Sequence, residues 1–126
     1  MAEIGHQIHE LALRVGKYKP QAYFFVFEAL DHTVKTVVKE RRHVTGQELL
    51  EGIRLLAIEQ FGPMATMVFN LWGVNQTADF GEIVFQLVES GLMGKTDRDS
   101  REDFINGFIF EEAFSIEKTI RTEKPG

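Results

Sequence analysis

Five large apolar side chains stand in succession at Tyr23, Phe24, Phe25, Val26 and Phe27. In a helix, at 100° per residue, they cover about 500° of circumference. Such a segment is apolar on every face and must be enclosed, either by other elements of its own chain or by a partner. The 126-residue chain, with 44% hydrophobic and 26% charged residues, has the composition of one ordinary globular domain that can supply a core. A domain of this size buries only about two thirds of its unfolded surface, so part of the rod can remain uncovered. Two readings stay open. The rod is a central buried helix, or it presents an interface at Tyr23, Phe24, Phe25 and Phe27, most simply to a second copy in a symmetric homodimer.

The rest of the chain reads as helices punctuated by glycine and proline. Ile4, Ile8, Leu11 and Val15 recur at helical spacing, which predicts a first helix over 2–15 ended by Gly16. Pro20 suits the first turn of a second helix, which should run to about Lys39. Thr45 with Glu48 forms a capping-box pair that starts a third, and Gly62-Pro63 stops it. The segment Met64 to Trp72 is short, apolar on most sides and expected to be buried. Thr77 or Asp79, the latter with Glu82 three residues on, is expected to cap a fifth helix with Phe80, Ile83, Val84, Leu87 and Val88 on its buried face and Gly91 at its end. Beyond Gly91 the pattern breaks into a charged stretch and an apolar one containing Asn106-Gly107, a turn or hairpin signal. A short two-stranded β-ribbon and irregular coil both fit there. Glu111 to Ile120 suits a last short helix. No linker divides the chain, which predicts a single helical domain over 1–120 with a flexible tail at 121–126.

The order from Phe61 to Phe110, with a glycine turn at Trp72-Gly73-Val74, a longer helix, Gly91-Leu92-Met93 and an apolar stretch, is similar to a winged helix-turn-helix unit. The fold class is thus mainly α, a compact domain of about five helices with a winged-helix-like C-terminal half. In that frame the would-be recognition helix exposes Asp79, Glu82, Gln86 and Glu89, three carboxylates where a phosphate-facing surface needs basic or amide side chains. Net charge points the same way, being −5 at pH 7, which opposes attraction to phosphate backbones and anionic lipid. The basic cluster Lys35, Lys39, Arg41, Arg42 and His43 is the candidate nucleic-acid patch. Its other reading is a set of cations at the negative end of the second helix.

Other chemistry finds little footing. The chain has no cysteine, which excludes disulfides, thiol nucleophiles and cysteine-based zinc sites and fits a reducing cytoplasm. No apolar run is long enough to cross a bilayer, and Met1 to His9 lacks the pattern of a signal peptide. His6 and His9 with Glu10 could begin a metal site but nothing completes it. The acidic stretch from Asp97 fails the calcium-loop pattern, with Arg101, Glu102 and Phe108 at its fifth, sixth and twelfth positions. Nucleophile-elbow, P-loop, dinucleotide and zinc-helix motifs are missing. The Asn75-Gln76-Thr77 sequon has no expected transferase in a cytoplasmic chain.

The segments YKPQAYFFVFEALDHT (Tyr18 to Thr33), HVTGQELLEGIRLLAIEQFGPMA (His43 to Ala65), WGVNQTADFGEIVFQLVESGLM (Trp72 to Met93) and KTDRDSREDFINGFIFEEAF (Lys95 to Phe114) resemble a family of small uncharacterised conserved proteins described mainly from planctomycetes and verrucomicrobia. The resemblance implies one compact domain and carries no activity, cofactor or catalytic residue. From the residues themselves the expectation is a cytoplasmic, non-enzymatic interaction module that self-associates, with no cofactor and no membrane partner. A winged-helix-like nucleic-acid-binding regulator is the alternative.

Overall fold

Helix ends fall where the backbone can turn sharply or where side chains replace missing helical partners. The computed structural model describes residues 2–39, 44–94 and 101–120. Helix α1, Ala2–Val15, ends at Gly16, whose N–H donates to the Ala12 carbonyl at 2.9 Å. Its buried stripe is Ile8, Leu11 and Ala12, while Ile4 and Val15 sit at the margin. Helix α2, Pro20–Thr33, begins on its proline and continues as a π-helical turn, Val34–Val38. The hydroxyls of Thr33 and Thr36 donate to the carbonyls of Ala29 and His32, four residues back. Such back-bonding bends helices, and it falls on the turn where the winding changes. Lys39, with φ of 64°, closes the segment.

Helix α3, Gly46–Phe61, starts on the expected capping box. Glu48 N–H donates to Thr45 Oγ1 at 3.1 Å, and Thr45 N–H donates to the Glu48 carboxylate at 3.0 Å. Where α3 crosses α2, Gly52 faces Thr33, and a methyl group at Gly52 would collide with the threonine hydroxyl. The two helices therefore approach at backbone distance. A 3-10 turn, Gly62–Met64, leads into α4, Ala65–Leu71, and after a five-residue connection into α5, Thr77–Glu89. Both α4 and α5 end in the same pattern. Gly73 donates to Asn70 and Val74 to Phe69; Gly91 donates to Val88 and Leu92 to Leu87. These crossed bonds satisfy the last carbonyls of each helix and require a left-handed residue, here Gly73 at φ 91° and Gly91 at φ 77°. A 3-10 turn, Arg101–Phe104, and two short helices, α6 Phe110–Ala113 and α7 Ile116–Ile120, complete the described chain.

The core is aromatic. Phe69 of α4, fully buried, has ring centroids 5.1 to 6.1 Å from those of Phe25, Phe61, Trp72, Phe80, Phe110 and Phe114. One side chain thus joins α2, α3, α5, α6 and the α4 end, which suits the offset and edge-on contacts that ring quadrupoles favour.

Several expectations are corrected. The class is mainly α, but no strand occurs among the described residues. Residues 101–110 form a 3-10 turn and loop in place of an apolar strand, so the two-stranded wing is not seen; residues 95–100 lie outside the described residues. The last helix is broken at Phe114-Ser115, where Phe114 leaves the helical region to bury its ring. Gln76, not Thr77 or Asp79, occupies the cap position of α5, and Asp79 acts from inside the first turn by accepting the N–H groups of Asn75 and Gln76. Residues 121–126, the expected tail, also lie outside the described residues.

Candidate interaction surface

Helix α2 is mostly enclosed by its own chain. Tyr23, Phe25 and Val26 are buried and Phe27 packs half-buried against the core, whereas Phe24 keeps 42% of its surface exposed. Of the four candidate interface residues, Phe24 is therefore open to a partner, Phe27 partly so, and Tyr23 and Phe25 not. The polar tip of Tyr23 is used internally, donating to the Gln86 side chain of α5.

Apolar exposure is larger on α4, where burial was expected. Ala65 and Phe69 point into the core, but Met64, Met67 and Leu71 are 51%, 49% and 68% exposed. Spaced three and four residues apart, they form one stripe along the outer face of a short helix. The helix offers both faces apolar side chains and the rest of the fold covers one. Residues 60–78 contain no Asp, Glu, Lys, Arg or His, so no charge within this stretch interrupts the stripe. Phe61 and Trp72, half-buried and 5.8 Å apart edge to face, flank α4 at either end. Phe24 can be placed relative to the end of α3. It shares a helix face with Glu28, one turn on, and the Glu28 carboxylate accepts a hydrogen bond from Gln60 at the end of α3 at 2.6 Å. Phe24 thus lies on the flank of α2 that faces the end of α3.

The acidic stripe expected on α5 is not free. Asp79 is buried and accepts the Tyr18 hydroxyl at 2.7 Å. Glu82 faces Lys17 at 3.6 Å, and Gln86 holds Tyr23. The connection between α1 and α2 lies across this side of α5, so of the four only Glu89 is exposed. Burial and the adjacent Asp79 raise the Tyr18 phenol far above its ordinary range. Burial, helped by Glu82, pushes Tyr23 up to about 12. Both phenols stay protonated donors at neutral pH.

In the expected basic patch, Lys35 pairs with Asp31 at 3.0 Å and Lys39 is exposed, while Arg41, Arg42 and His43 lie outside the described residues. His6 pairs with Glu10 on the exposed side of α1 at 3.2 Å. Among the described residues no group of three or more His, Asp or Glu is placed to hold a metal ion, and no helix is long and apolar enough to cross a membrane. The α4 stripe was not singled out in the sequence because an apolar run reads as core. The signal that marks it is the long interval without charge in a chain that is one quarter charged. No known protein family, curated protein or solved structure matches the chain.

Proposed function

We propose that this chain is a cytoplasmic, non-enzymatic interaction module that self-associates through the outer face of α4, with Phe24 at its edge. The observation that carries the reading is the exposed stripe Met64, Met67 and Leu71 inside an uncharged segment of a chain with net charge −5. Two copies of an acidic protein repel each other wherever their charged faces meet. A two-fold contact sets the same patch against itself, so a stripe whose own segment carries no charge reduces the number of like charges opposed when two copies meet. Methionine suits such a face, since its flexible thioether adapts to an irregular partner surface. Removing these side chains from water supplies the driving force, at about 25 cal/mol per Å² of apolar area covered.

Mixed samples of isotope-labelled and unlabelled chains test the contact. Intermolecular NMR contacts from the methyl groups of Met64 or Met67 to a second copy are expected at high concentration. A concentrated sample in which those methyls see only their own chain would remove the proposal.

A further inference from the structure

The 104–107 loop is fastened to the start of α5 by one side chain. Thr77, fully buried, donates its hydroxyl to the Phe104 carbonyl and accepts the Gly107 N–H at 3.0 Å. The Gly107 Cα is also pressed against Leu50, since a Cβ there would lie 2.5 Å from the leucine methyl. Next to this pinned amide, Asn106 is exposed and left-handed, with φ of 57°. Of the three asparagines in the chain, Asn70, Asn75 and Asn106, only Asn106 precedes glycine. Leu71 and Gln76 place a Cβ beside the amide nitrogen that would have to reach the other two side chains, and Gly107 does not.

From this juxtaposition we propose that Asn106 is a self-modification site whose reaction is restrained by Thr77. Hydroxide takes the Gly107 amide proton, and the nitrogen attacks Cγ of Asn106. A C–N bond forms, ammonia leaves with the side-chain nitrogen, and a five-membered succinimide closes. Water then opens the ring at either carbonyl to give aspartate or isoaspartate, with no change in oxidation state. In the folded chain the proton that must leave first is held in a hydrogen bond to the buried Thr77 hydroxyl, although Gly107 itself lies at the surface. Reaction therefore waits for the Thr77–Gly107 bond to open, and the rate reports how often this corner of the domain opens. The product adds one negative charge. As isoaspartate it also adds a methylene to the backbone beside the pinned amide, which displaces Gly107 from Thr77.

The test is peptide mapping for aspartate and isoaspartate at position 106 after incubating the full chain in mildly alkaline buffer. Native protein is expected to react more slowly than the same chain in denaturing urea. Thr77→Val, which keeps the shape and loses the hydroxyl, should react roughly five- to tenfold faster than wild type, the factor that one net hydrogen bond accounts for. Thr77→Ser should stay near the wild-type rate. Ile53→Val, a core change that leaves the hydroxyl in place, should also stay near it. Equal rates for native and denatured wild type would overturn the proposal, as would equal acceleration by Thr77→Val and Ile53→Val. If Thr77→Val does not fold, the native-to-denatured comparison together with hydrogen exchange at the Gly107 amide decides: slow exchange with slow reaction supports restraint, and fast exchange refutes it.

Discussion

The Tyr18 hydroxyl and the Asp79 carboxylate, 61 positions apart, meet at 2.7 Å in the interior. The same carboxylate accepts the N–H groups of Asn75 and Gln76 at 2.8 and 3.2 Å. One buried side chain therefore caps α5 and anchors the connection between α1 and α2. Tyr18→Phe deprives Asp79 of a donor where water is scarce, and a loss of about 1–3 kcal/mol in urea unfolding is expected. Asp79→Ala also strips the helix start of its acceptor and should cost more. A Tyr18→Phe chain within about 0.5 kcal/mol of wild type would show that the pair contributes little.

Alkaline pH should weaken the fold through Tyr23. Its folded value, pushed up to about 12 by burial, exceeds the ordinary tyrosine value near 10. Above pH 10 the unfolded chain loses this proton while the folded chain keeps it, so the unfolded state is favoured as pH rises. Stability linked to this group is fully present below pH 10 and falls away up to about pH 12. The urea midpoint measured across that interval is expected to drop, and Tyr23→Phe, if it folds, should lessen the drop by about half, the rest following Tyr18, whose phenol is raised further.

Gly73 is held at φ 91°, and a side chain there would meet the Lys17 carbonyl at 2.7 Å. A left-handed turn and a backbone contact coincide at one residue. Gly73→Val should lower stability by at least about 1–3 kcal/mol, the usual cost of a non-glycine residue in a sparsely populated region. Unfolding at wild-type denaturant concentration would contradict the turn.

The crossing of α2 and α3 makes a paired prediction. Gly52→Ala drives a methyl into Thr33 and should cost about 1–3 kcal/mol as an overpacked site. Thr33→Ala removes the hydroxyl that the new methyl strikes. The double variant is therefore expected to recover part of the loss, and additive losses in the cycle would argue against direct contact.

Much of this fold was legible because its punctuation is local. Gly16, Pro20, the Thr45–Glu48 box, Gly73 and Gly91 each act through the few residues beside them, and each lies at the boundary it marks. The errors are tertiary. The α5 stripe of Asp79, Glu82 and Gln86 reads as solvent-facing by polarity, yet Tyr18, Lys17 and Tyr23 reach it from more than 60 residues away in sequence. Residues 101–110 read as strand or coil because Phe104 and Phe110 are apolar in an irregular context, and their rings are buried without a ladder. Phe24 was visible as a surface candidate. The α4 face was hidden because Met64, Met67 and Leu71 carry no local mark of exposure, only the missing charges around them.

Self-association is read most directly by the mass of the particle in solution. Light scattering on wild type at tens of micromolar should return twice the mass of one chain. A Met67→Asp/Leu71→Asp variant, changed only at exposed positions, should return a single chain with little change in urea midpoint, because the new charges would face each other across the two-fold contact. A wild-type monomer, or a variant that still scatters as a dimer, would contradict the α4 interface.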